Sequence, residues 1–327
     1  MSNLEKRPLE LELEPDVDPT RTPGSIEMLE PRDVPLGGPR ALQVRRTLPQ
    51  RSRSLIGAWC FVDHYGPVAV AGGHGMVVPP HPHTGLQTVS WLFSGEVEHR
   101  DSVGSHAMVR PGELNLMTAG SGISHSEVST AATATLHGAQ LWVALPDGHR
   151  AREPFFEHYS PAAVAFGPAT VRVFIGSLVG STSPARVFSP LVGAEIVLPA
   201  GAAISLPVDE GFEHGILLDA GTASVDGEDV AASHLAYLEP GRTTIDLAAG
   251  NAGARVLLIG GAPFGEQIVM WWNFIGRTHD EVVAFRAQWQ SDVISGLDAN
   301  GPFGHVDYEG SALPAPELPN IRLKPRG

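Results

Sequence analysis

The stretch that decides the fold runs from residue 81 to residue 127 and reads HPHTGLQTVSWLFSGEVEHRDSVGSHAMVRPGELNLMTAGSGISHSE. It begins with two histidines one residue apart, His81 and His83. It ends with a histidine and a glutamate at the same spacing, His125 and Glu127. In an extended strand, residues i and i+2 point to the same side. On strands, each pair can therefore present both of its side chains to a single target.

The pattern around this stretch predicts strands. From about residue 36 to residue 265, short runs rich in Val, Leu, Ile and Thr alternate with Gly and Pro at a spacing of about 8–12 residues. This spacing favours an all-β sandwich or barrel over alternating strands and helices. One helix is predicted near the end of the chain, where Thr278 and Glu281 form a capping-box pattern ahead of apolar residues at helical spacing.

The two halves of the chain repeat one arrangement: a strand, a Gly-containing hairpin, and a Pro-Gly turn into another strand. The turns are Pro111-Gly112 and Pro240-Gly241. Pro at position i+1 and Gly at position i+2 suit a type II turn. We therefore expect two stacked β-barrel domains of the same kind, with a short C-terminal helix. The predicted order is a flexible arm, a first barrel, a second barrel and a Pro-rich tail: residues 1–35, 36–165, 166–300 and 301–327.

Composition restricts the partners and the compartment. The 327 residues carry a formal net charge of -14, from 36 acidic and 22 basic side chains, and this charge opposes binding to nucleic-acid phosphates. No run of about 18 or more apolar residues occurs, and the acidic N-terminus lacks the features of a signal peptide. Cys60 is the single cysteine, so no intrachain disulfide can form. We expect a cytoplasmic protein that binds neither nucleic acid nor membranes.

The two i, i+2 pairs form a candidate metal site. On two strands of one barrel, the pairs can converge on a single ion in the interior. Imidazole and carboxylate ligands together suit first-row divalent metals such as iron, manganese, copper, nickel and zinc. Four protein ligands on one side leave one or two positions open for water, oxygen or substrate. An isolated HxH more often marks the polar face of a surface strand, but two pairs flanking a Pro-Gly turn favour the metal.

The order of these features resembles the pattern of the cupin superfamily: HxH, a Gly-bounded hairpin, Pro-Gly and a distal histidine. Within that superfamily, residues 81–127 resemble the signature of the pirin family. RTLPQRSRSLIGAWCFVDHYGP (46–67) and GGAPFGEQIVMWWNFIGRT (260–278) also resemble segments of that family. The resemblance implies two cupin barrels, of which only the N-terminal one binds a metal, a single iron. The ligands that it implies are His81, His83, His125 and Glu127.

This chain departs from the general patterns at two positions. Cupins often have a carboxylate ligand four residues after the second histidine, where this chain has Gln87, so the resemblance assigns the carboxylate to Glu127. Thr84 stands where many pirins carry a larger basic residue, and we expect a different pocket rim there. In the second half, the positions that correspond to ligands hold other residues: Asp209, Ala254 and Val256. The second barrel is therefore expected to be metal-free.

His64, His99 and His106 lie near the two pairs in sequence. Ligating imidazoles usually need a partner for their second ring nitrogen, and His99 is a candidate for that role. The favoured alternative is that His99 bonds to Asp101 or Ser102 within its own hairpin.

The resemblance also implies an activity. Pirins are similar to quercetin 2,3-dioxygenases, so we expect an oxygen-dependent dioxygenase whose partners are O2 and a small flavonol-like phenolic substrate. Glu127 would then be the catalytic proton acceptor as well as a metal ligand. The alternative from another class is a non-enzymatic regulator that binds a protein partner and responds to the oxidation state of the metal.

Overall fold

The computed structural model describes residues 24–35, 42–70 and 75–327. Antiparallel strands make up most of the structure. The strands of the first half are β1 (Glu27–Leu29), β2 (Arg32–Pro35), β3 (Gln43–Leu48), β4 (Trp59–Ala69), β5 (Val77–His83), β6 (Leu86–Ser94), β7 (Val97–Asp101), β8 (His106–Val109), β9 (Leu114–Thr118), β10 (Ile123–Ser129), β11 (Thr135–Ala144) and β12 (Phe155–Tyr159).

The second half continues with further antiparallel strands and ends in a helix. Its strands are β13 (Val164–Phe166), β14 (Ala169–Ile175), β15 (Ser177–Leu178), β16 (Ser181–Thr182), β17 (Leu191–Leu198), β18 (Ala203–Pro207), β19 (Glu213–Val225), β20 (Glu228–Val230), β21 (Leu235–Leu238), β22 (Thr244–Gly261), β23 (Val269–Trp271) and β24 (Phe274–Gly276). Helix α1 (His279–Trp289) follows and runs into a π-helical segment, Gln290–Ile294.

Two sheets enclose the interior of the first barrel. One is seven-stranded, in the order β12-β9-β6-β11-β4-β3-β2, and the other is four-stranded, in the order β5-β10-β7-β8. Apolar side chains from both sheets meet in a single cluster, for example Val44 and Tyr65 from the larger sheet and Val78 and Val97 from the smaller. Their burial away from water is the main favourable contribution to closing this barrel.

A nine-stranded sheet forms the second barrel. Its main path is β1-β21-β19-β22-β17-β14-β13, with β18 paired to β22 and β20 paired to β19. The 18-residue strand β22 pairs with β17, β18 and β19 and so connects most of the sheet. Val173, Ile196, Ile216 and Val256 are fully buried in the interior.

The two barrels pack against each other through the outer face of the seven-stranded sheet. Trp91 and Leu141 from the first barrel share one apolar cluster with Phe174 and Leu257 from the second. The indole N–H of Trp91 also donates to Glu195 Oε2 at 2.7 Å, so a polar group at this junction is satisfied. Because side chains alternate along a strand, the residues between Leu141 and its outward-facing neighbours point into the first barrel.

The predicted helix is confirmed. Thr278 is its N-cap, its hydroxyl accepts the N–H of Glu281 at 3.2 Å, and the Glu281 carboxylate accepts the N–H of Thr278 at 3.4 Å. Val282 and Trp289 are the fully buried residues of the helix. Within the described ranges, no helix is both long and apolar enough to cross a membrane.

The N-terminal region differs from the expected arm of residues 1–35. Strand β1 pairs with β21 of the second barrel, and β2 pairs with β3 of the first. Leu29 and Val34 are buried in the apolar clusters of these sheets. Residues 24–35 are therefore part of the folded unit, whereas residues 1–23 lie outside the described ranges.

The C-terminal segment also differs from the expected tail of residues 301–327. Phe303 is fully buried, and its ring meets Trp289 edge to face with centroids 5.5 Å apart. The Trp289 indole N–H donates to the carbonyl of Leu313 at 2.9 Å, and the backbone of Arg326 pairs with that of Ile268. Single apolar residues between prolines anchor this segment, so the absence of a periodic pattern concealed its packing.

We predict that Phe303→Ala lowers the free energy of unfolding by about 3–5 kcal/mol, because it leaves a cavity beside Trp289. Thermal and urea unfolding followed by circular dichroism measure the change. Leu297→Ala is the matched control, since Leu297 is 76% exposed and its loss should change the free energy of unfolding by no more than about 0.5 kcal/mol. Equal stability of the two variants would mean that the C-terminal segment is dispensable.

Candidate metal centre

Strands β5 and β10 bring three of the predicted ligands together. They pair antiparallel, with His125 directly opposite His81 and Ile123 opposite His83. Strand β5 lies at the edge of its sheet. That position accommodates the prolines that precede each histidine, because proline has no N–H to donate to a second neighbour. The predicted convergence of the three histidines is therefore present in the fold.

The three imidazoles form a compact group. Their ring centroids are 4.3 Å apart for His81 and His125, 5.0 Å for His83 and His125, and 5.2 Å for His81 and His83. One ring nitrogen from each lies within 4.8 Å of the other two. All three residues are at most 1% exposed. Such a cluster of nitrogen atoms, shielded from water, has the dimensions of a site for one metal ion.

The ring nitrogens of the three histidines differ in their partners. The Nδ1–H of His81 donates to the carbonyl of Pro79 at 2.9 Å, which leaves a lone pair on Nε2, and that buried atom has no partner among the described residues. His83 Nε2 lies 3.1 Å from His125 Nε2. When both atoms carry lone pairs, as they do in metal-binding tautomers, they repel at this distance, and a shared cation removes the repulsion.

Burial keeps the three imidazoles neutral. It lowers the pKa of His81 to about 3, and it lowers the pKa values of His83 and His125 well below the ordinary histidine value. Neutral imidazole is the form that binds metals, so no proton has to be removed near neutral pH.

His99 supports the group from β7. Its Nε2 lies 3.1 Å from Asp101 Oδ2, and its Nδ1 lies 3.3 Å from His125 Nδ1. If the His99 Nε2–H donates to the carboxylate, His99 Nδ1 accepts the Nδ1–H of His125, and the lone pair of His125 falls on Nε2. His99 thus makes the bond to Asp101 that the sequence favoured and also contacts a candidate ligand. Its ring stacks on Phe156, with centroids 4.7 Å apart, and this contact holds its orientation.

Glu127 lies on the same inward face of β10 as His125 but outside the tight group. It is 3% exposed, and it is not among the residues whose ligand atoms all lie within 4.8 Å of one another. A β-bulge separates His125 from Glu127 in the pairing with β5. Burial raises the pKa of Glu127, and Ser90 Oγ lies 3.5 Å from its carboxylate. The structure thus brings three of the four predicted ligands into contact and places the fourth beside them.

The surrounding residues include some that the sequence did not indicate. Trp142 on β11 meets His83 edge to face, with centroids 5.1 Å apart, and Gln140 on the same strand accepts the Ser90 hydroxyl at 2.9 Å. The sequence could have indicated these two residues, because side chains alternate between the faces of a strand and Gln140 and Trp142 therefore share one face of β11. Thr84, expected at a pocket rim, is instead 1% exposed, and its hydroxyl donates to the Ile275 carbonyl at 3.4 Å.

The other residues considered from the sequence have separate roles. Gln87 donates its side-chain amide to Thr118 Oγ1 at 2.8 Å and to the Arg186 carbonyl at 2.9 Å. His106 contacts Glu98 Oε1 at 2.6 Å on the surface, and His64 faces the second barrel. Neither His64 nor His106 therefore orients a ligand of this centre.

Comparison with known proteins agrees with this arrangement. Residues 41–143 match the pirin family model, and residues 193–294 match the model of the pirin C-terminal cupin domain. A Pseudomonas aeruginosa protein provisionally named as a quercetin 2,3-dioxygenase is 41% identical over 322 residues, 98% of this chain and 98% of that protein. The chain belongs to the pirin family. The predicted architecture of two cupin barrels with a short C-terminal helix is confirmed.

Other pirin-like proteins share the fold. A pirin-like protein of Caulobacter vibrioides is 36% identical over 258 residues, which cover 76% of this pirin and 88% of that protein. A crystal structure of quercetin 2,3-dioxygenase from Acinetobacter baumannii matches with a TM-score of 0.84 and 40% identity, covering 91% of this chain and 98% of that one. The Escherichia coli pirin YhhW, in complex with nickel(II), has a TM-score of 0.59 at 20% identity, over 73% of this chain and all of that one, which indicates a shared fold.

We predict that replacing both His81 and His83 with Ala lowers the metal content by one equivalent per chain, because a single remaining imidazole cannot retain the ion. Elemental analysis of the purified proteins measures the content. His106→Ala, which removes a surface imidazole from the same barrel, should leave it unchanged. Full retention of the metal by the folded double variant would contradict the assignment.

Proposed function

We propose that this pirin is a mononuclear iron dioxygenase that uses O2 to oxidise a flavonol-like phenolic substrate. The observation that carries the proposal is the group of three buried, neutral imidazoles, each with a ring nitrogen within 4.8 Å of the others, beside a buried carboxylate. The names of two homologues, both about 40% identical, as quercetin 2,3-dioxygenases support the same reaction class.

The residues present fit a divalent metal. His81 Nε2 is a buried atom without a partner among the described residues, and His83 and His125 place nitrogen atoms against each other. In the proposal these three imidazoles hold the metal, and Glu127 is the fourth and weaker ligand. Three nitrogen ligands and one oxygen ligand suit several first-row metals, and iron is proposed from the family resemblance. When bound, the metal supplies Lewis acidity towards a phenol or enol oxygen and redox capacity for O2.

Glu127 is proposed as the proton acceptor. Its burial raises its pKa, which makes its carboxylate a stronger base near neutral pH than a solvated glutamate. The carboxylate would take the proton from the reacting hydroxyl of the substrate. Ser90 Oγ lies 3.5 Å from Glu127 Oε1 but donates its one proton to Gln140 Oε1 at 2.9 Å, so it leaves the carboxylate without a strong donor.

An apolar wall adjoins the group and suits an aromatic substrate. Met117, Ile123 and Ile275 belong to one buried cluster with Trp142, which contacts His83. Phe156 packs against the same cluster and stacks on His99. In the proposal these side chains contact the substrate ring and exclude water from the reacting atoms.

The alternative function is a regulator that responds to the oxidation state of the metal. The near-complete burial of the histidines and the contacts of the C-terminal segment favour it. Ser124, next to His125, donates its hydroxyl to the Phe303 carbonyl at 2.7 Å, and Leu313 N–H donates to the carbonyl of Pro80 at 2.8 Å. A change at the metal can therefore reach a surface segment that a protein partner would contact. A cytoplasmic location is part of both proposals.

We predict that the iron-loaded protein consumes O2 with a flavonol and that Glu127→Gln lowers turnover per bound metal about 100-fold or more. Glutamine keeps the shape of the side chain but cannot accept the proton. Metal affinity should fall about 10–100-fold, the range seen when a supporting group of a metal site is lost. An oxygen electrode and elemental analysis of the same samples separate these two effects.

Glu96→Gln is the matched control, because Glu96 pairs with Arg110 on the surface of the same barrel. It should behave like the parent. Absence of O2 consumption with any member of a phenolic panel would contradict the enzyme and leave the regulator. Parental turnover and metal affinity in Glu127→Gln would exclude Glu127 from both proposed roles.

A further inference from the structure

A second group of potential ligands lies between the two barrels. His64 on β4 and His137 on β11 project from the outer face of the seven-stranded sheet, and Asp219 on β19 meets them from the second barrel. Each of these three side chains has one nitrogen or oxygen atom, able to bind a metal, within 4.8 Å of those of the other two. This group lies on the opposite face of the sheet from Gln140 and Trp142, and it is therefore separate from the centre inside the first barrel.

The contacts within this group are short and shielded from water. His64 Nε2 and His137 Nε2 each lie 2.6 Å from the same atom, Asp219 Oδ1. The side chains of His64, His137 and Asp219 are 1%, 8% and 0% exposed. The Phe93 ring covers the group, with its centroid 4.9 Å from that of His137 and 6.3 Å from that of His64.

Hydrogen bonds alone do not satisfy this arrangement. His64 Nε2 and Asp219 Oδ1 have the distance and angles of a hydrogen bond. His137 Nε2 is buried and lies 2.6 Å from the same oxygen, but it makes no hydrogen bond of acceptable geometry among the described residues. For one oxygen to accept from both imidazoles, each must carry its proton on Nε2, and the proton of His137 would point away from that oxygen. A cation bound by the lone pairs of all three atoms would satisfy them together.

The charges around the group are compatible with a divalent ion. Burial acts to raise the pKa of Asp219, but the two imidazoles and the Arg255 guanidinium outweigh it and hold the pKa well below its usual range. Asp219 is therefore a carboxylate. Arg255 contacts the other oxygen, Oδ2, at 2.5 Å, and its guanidinium lies 4.2 Å from the Phe93 ring centroid. That contact leaves Oδ1 available and holds the carboxylate in place, as partners of metal ligands do.

We propose that His64, His137 and Asp219 form a second site, specific for a borderline divalent cation such as Zn²⁺, that joins the two barrels. Two imidazole nitrogens and one carboxylate oxygen are a common ligand set for zinc, with a fourth position left for water. The ion links β4 and β11 of the first barrel to β19 of the second. Its role is to stabilise the junction of the barrels.

Zinc titration of metal-free proteins against a chromophoric chelator tests the proposal. The parent should bind two equivalents tightly, and the variant lacking His81 and His83 should bind one. Adding His137→Ala to that variant should weaken the remaining equivalent by about 100-fold or more, since losing a ligand costs at least as much as losing a supporting group. His106→Ala, which removes a surface imidazole, should bind zinc like the parent.

Thermal unfolding provides a second measurement. Zinc should raise the Tm of the variant that lacks His81 and His83, because binding to the folded state alone stabilises it, and should not do so after His137→Ala. If the variant that lacks His81, His83 and His137 does not fold, His137→Ala is made in the parent instead. It should then reduce the bound zinc from two equivalents to one. The proposal is overturned if the folded variant lacking His81 and His83 binds no zinc. It is also overturned if His137→Ala keeps both equivalents, since the group is then a hydrogen-bonded junction without metal.

Discussion

The antiparallel pairing of β5 with β10, in which His125 lies opposite His81, is the constraint on which the candidate metal centre depends. A shift of one residue in this register would turn the side chains of a strand to its other face and disperse the histidines. The prolines of β5 are compatible with this pairing because the strand has a neighbour on one side only. The bulge after His125 then sets the position of Glu127 independently of the histidines.

Burial gives this geometry its chemistry. Inside the barrel the imidazoles stay neutral, and the same low polarity raises the pKa of Glu127. One environment thus favours metal-binding nitrogens and a basic carboxylate at the same time. The seven-stranded sheet separates this interior from the barrel junction, because Trp142 faces the histidines while Leu141 packs against the second barrel. Both faces of that sheet are buried: the outer face carries His64 and His137, and the inner face lies opposite the histidines of β5 and β10.

Local features could be predicted from the sequence. The i, i+2 spacing predicted that His81, His83 and His125 would converge, and the capping-box pattern of Thr278 and Glu281 predicted the helix. These patterns depend on neighbours along the chain and on strand alternation. That Glu127 is a ligand, and where the boundary between the two barrels lies, remain predictions.

Other contacts depend on how distant segments pack. His64 and Asp219 are 155 residues apart, and no periodicity relates them. The C-terminal segment was also not predictable, because Phe303 and Leu313 fill gaps as isolated residues and follow no helical or strand pattern. The pairing of the N-terminal segment with the second barrel likewise becomes visible only when both barrels are in place.

Anomalous diffraction from crystals of the metal-loaded protein tests the central claim most directly. Data collected on both sides of the absorption edge of the metal locate each ion independently of the protein model. We predict an anomalous peak bounded by one ring nitrogen each of His81, His83 and His125. A map with the three histidines ordered and no peak between them, at full metal loading, would contradict it.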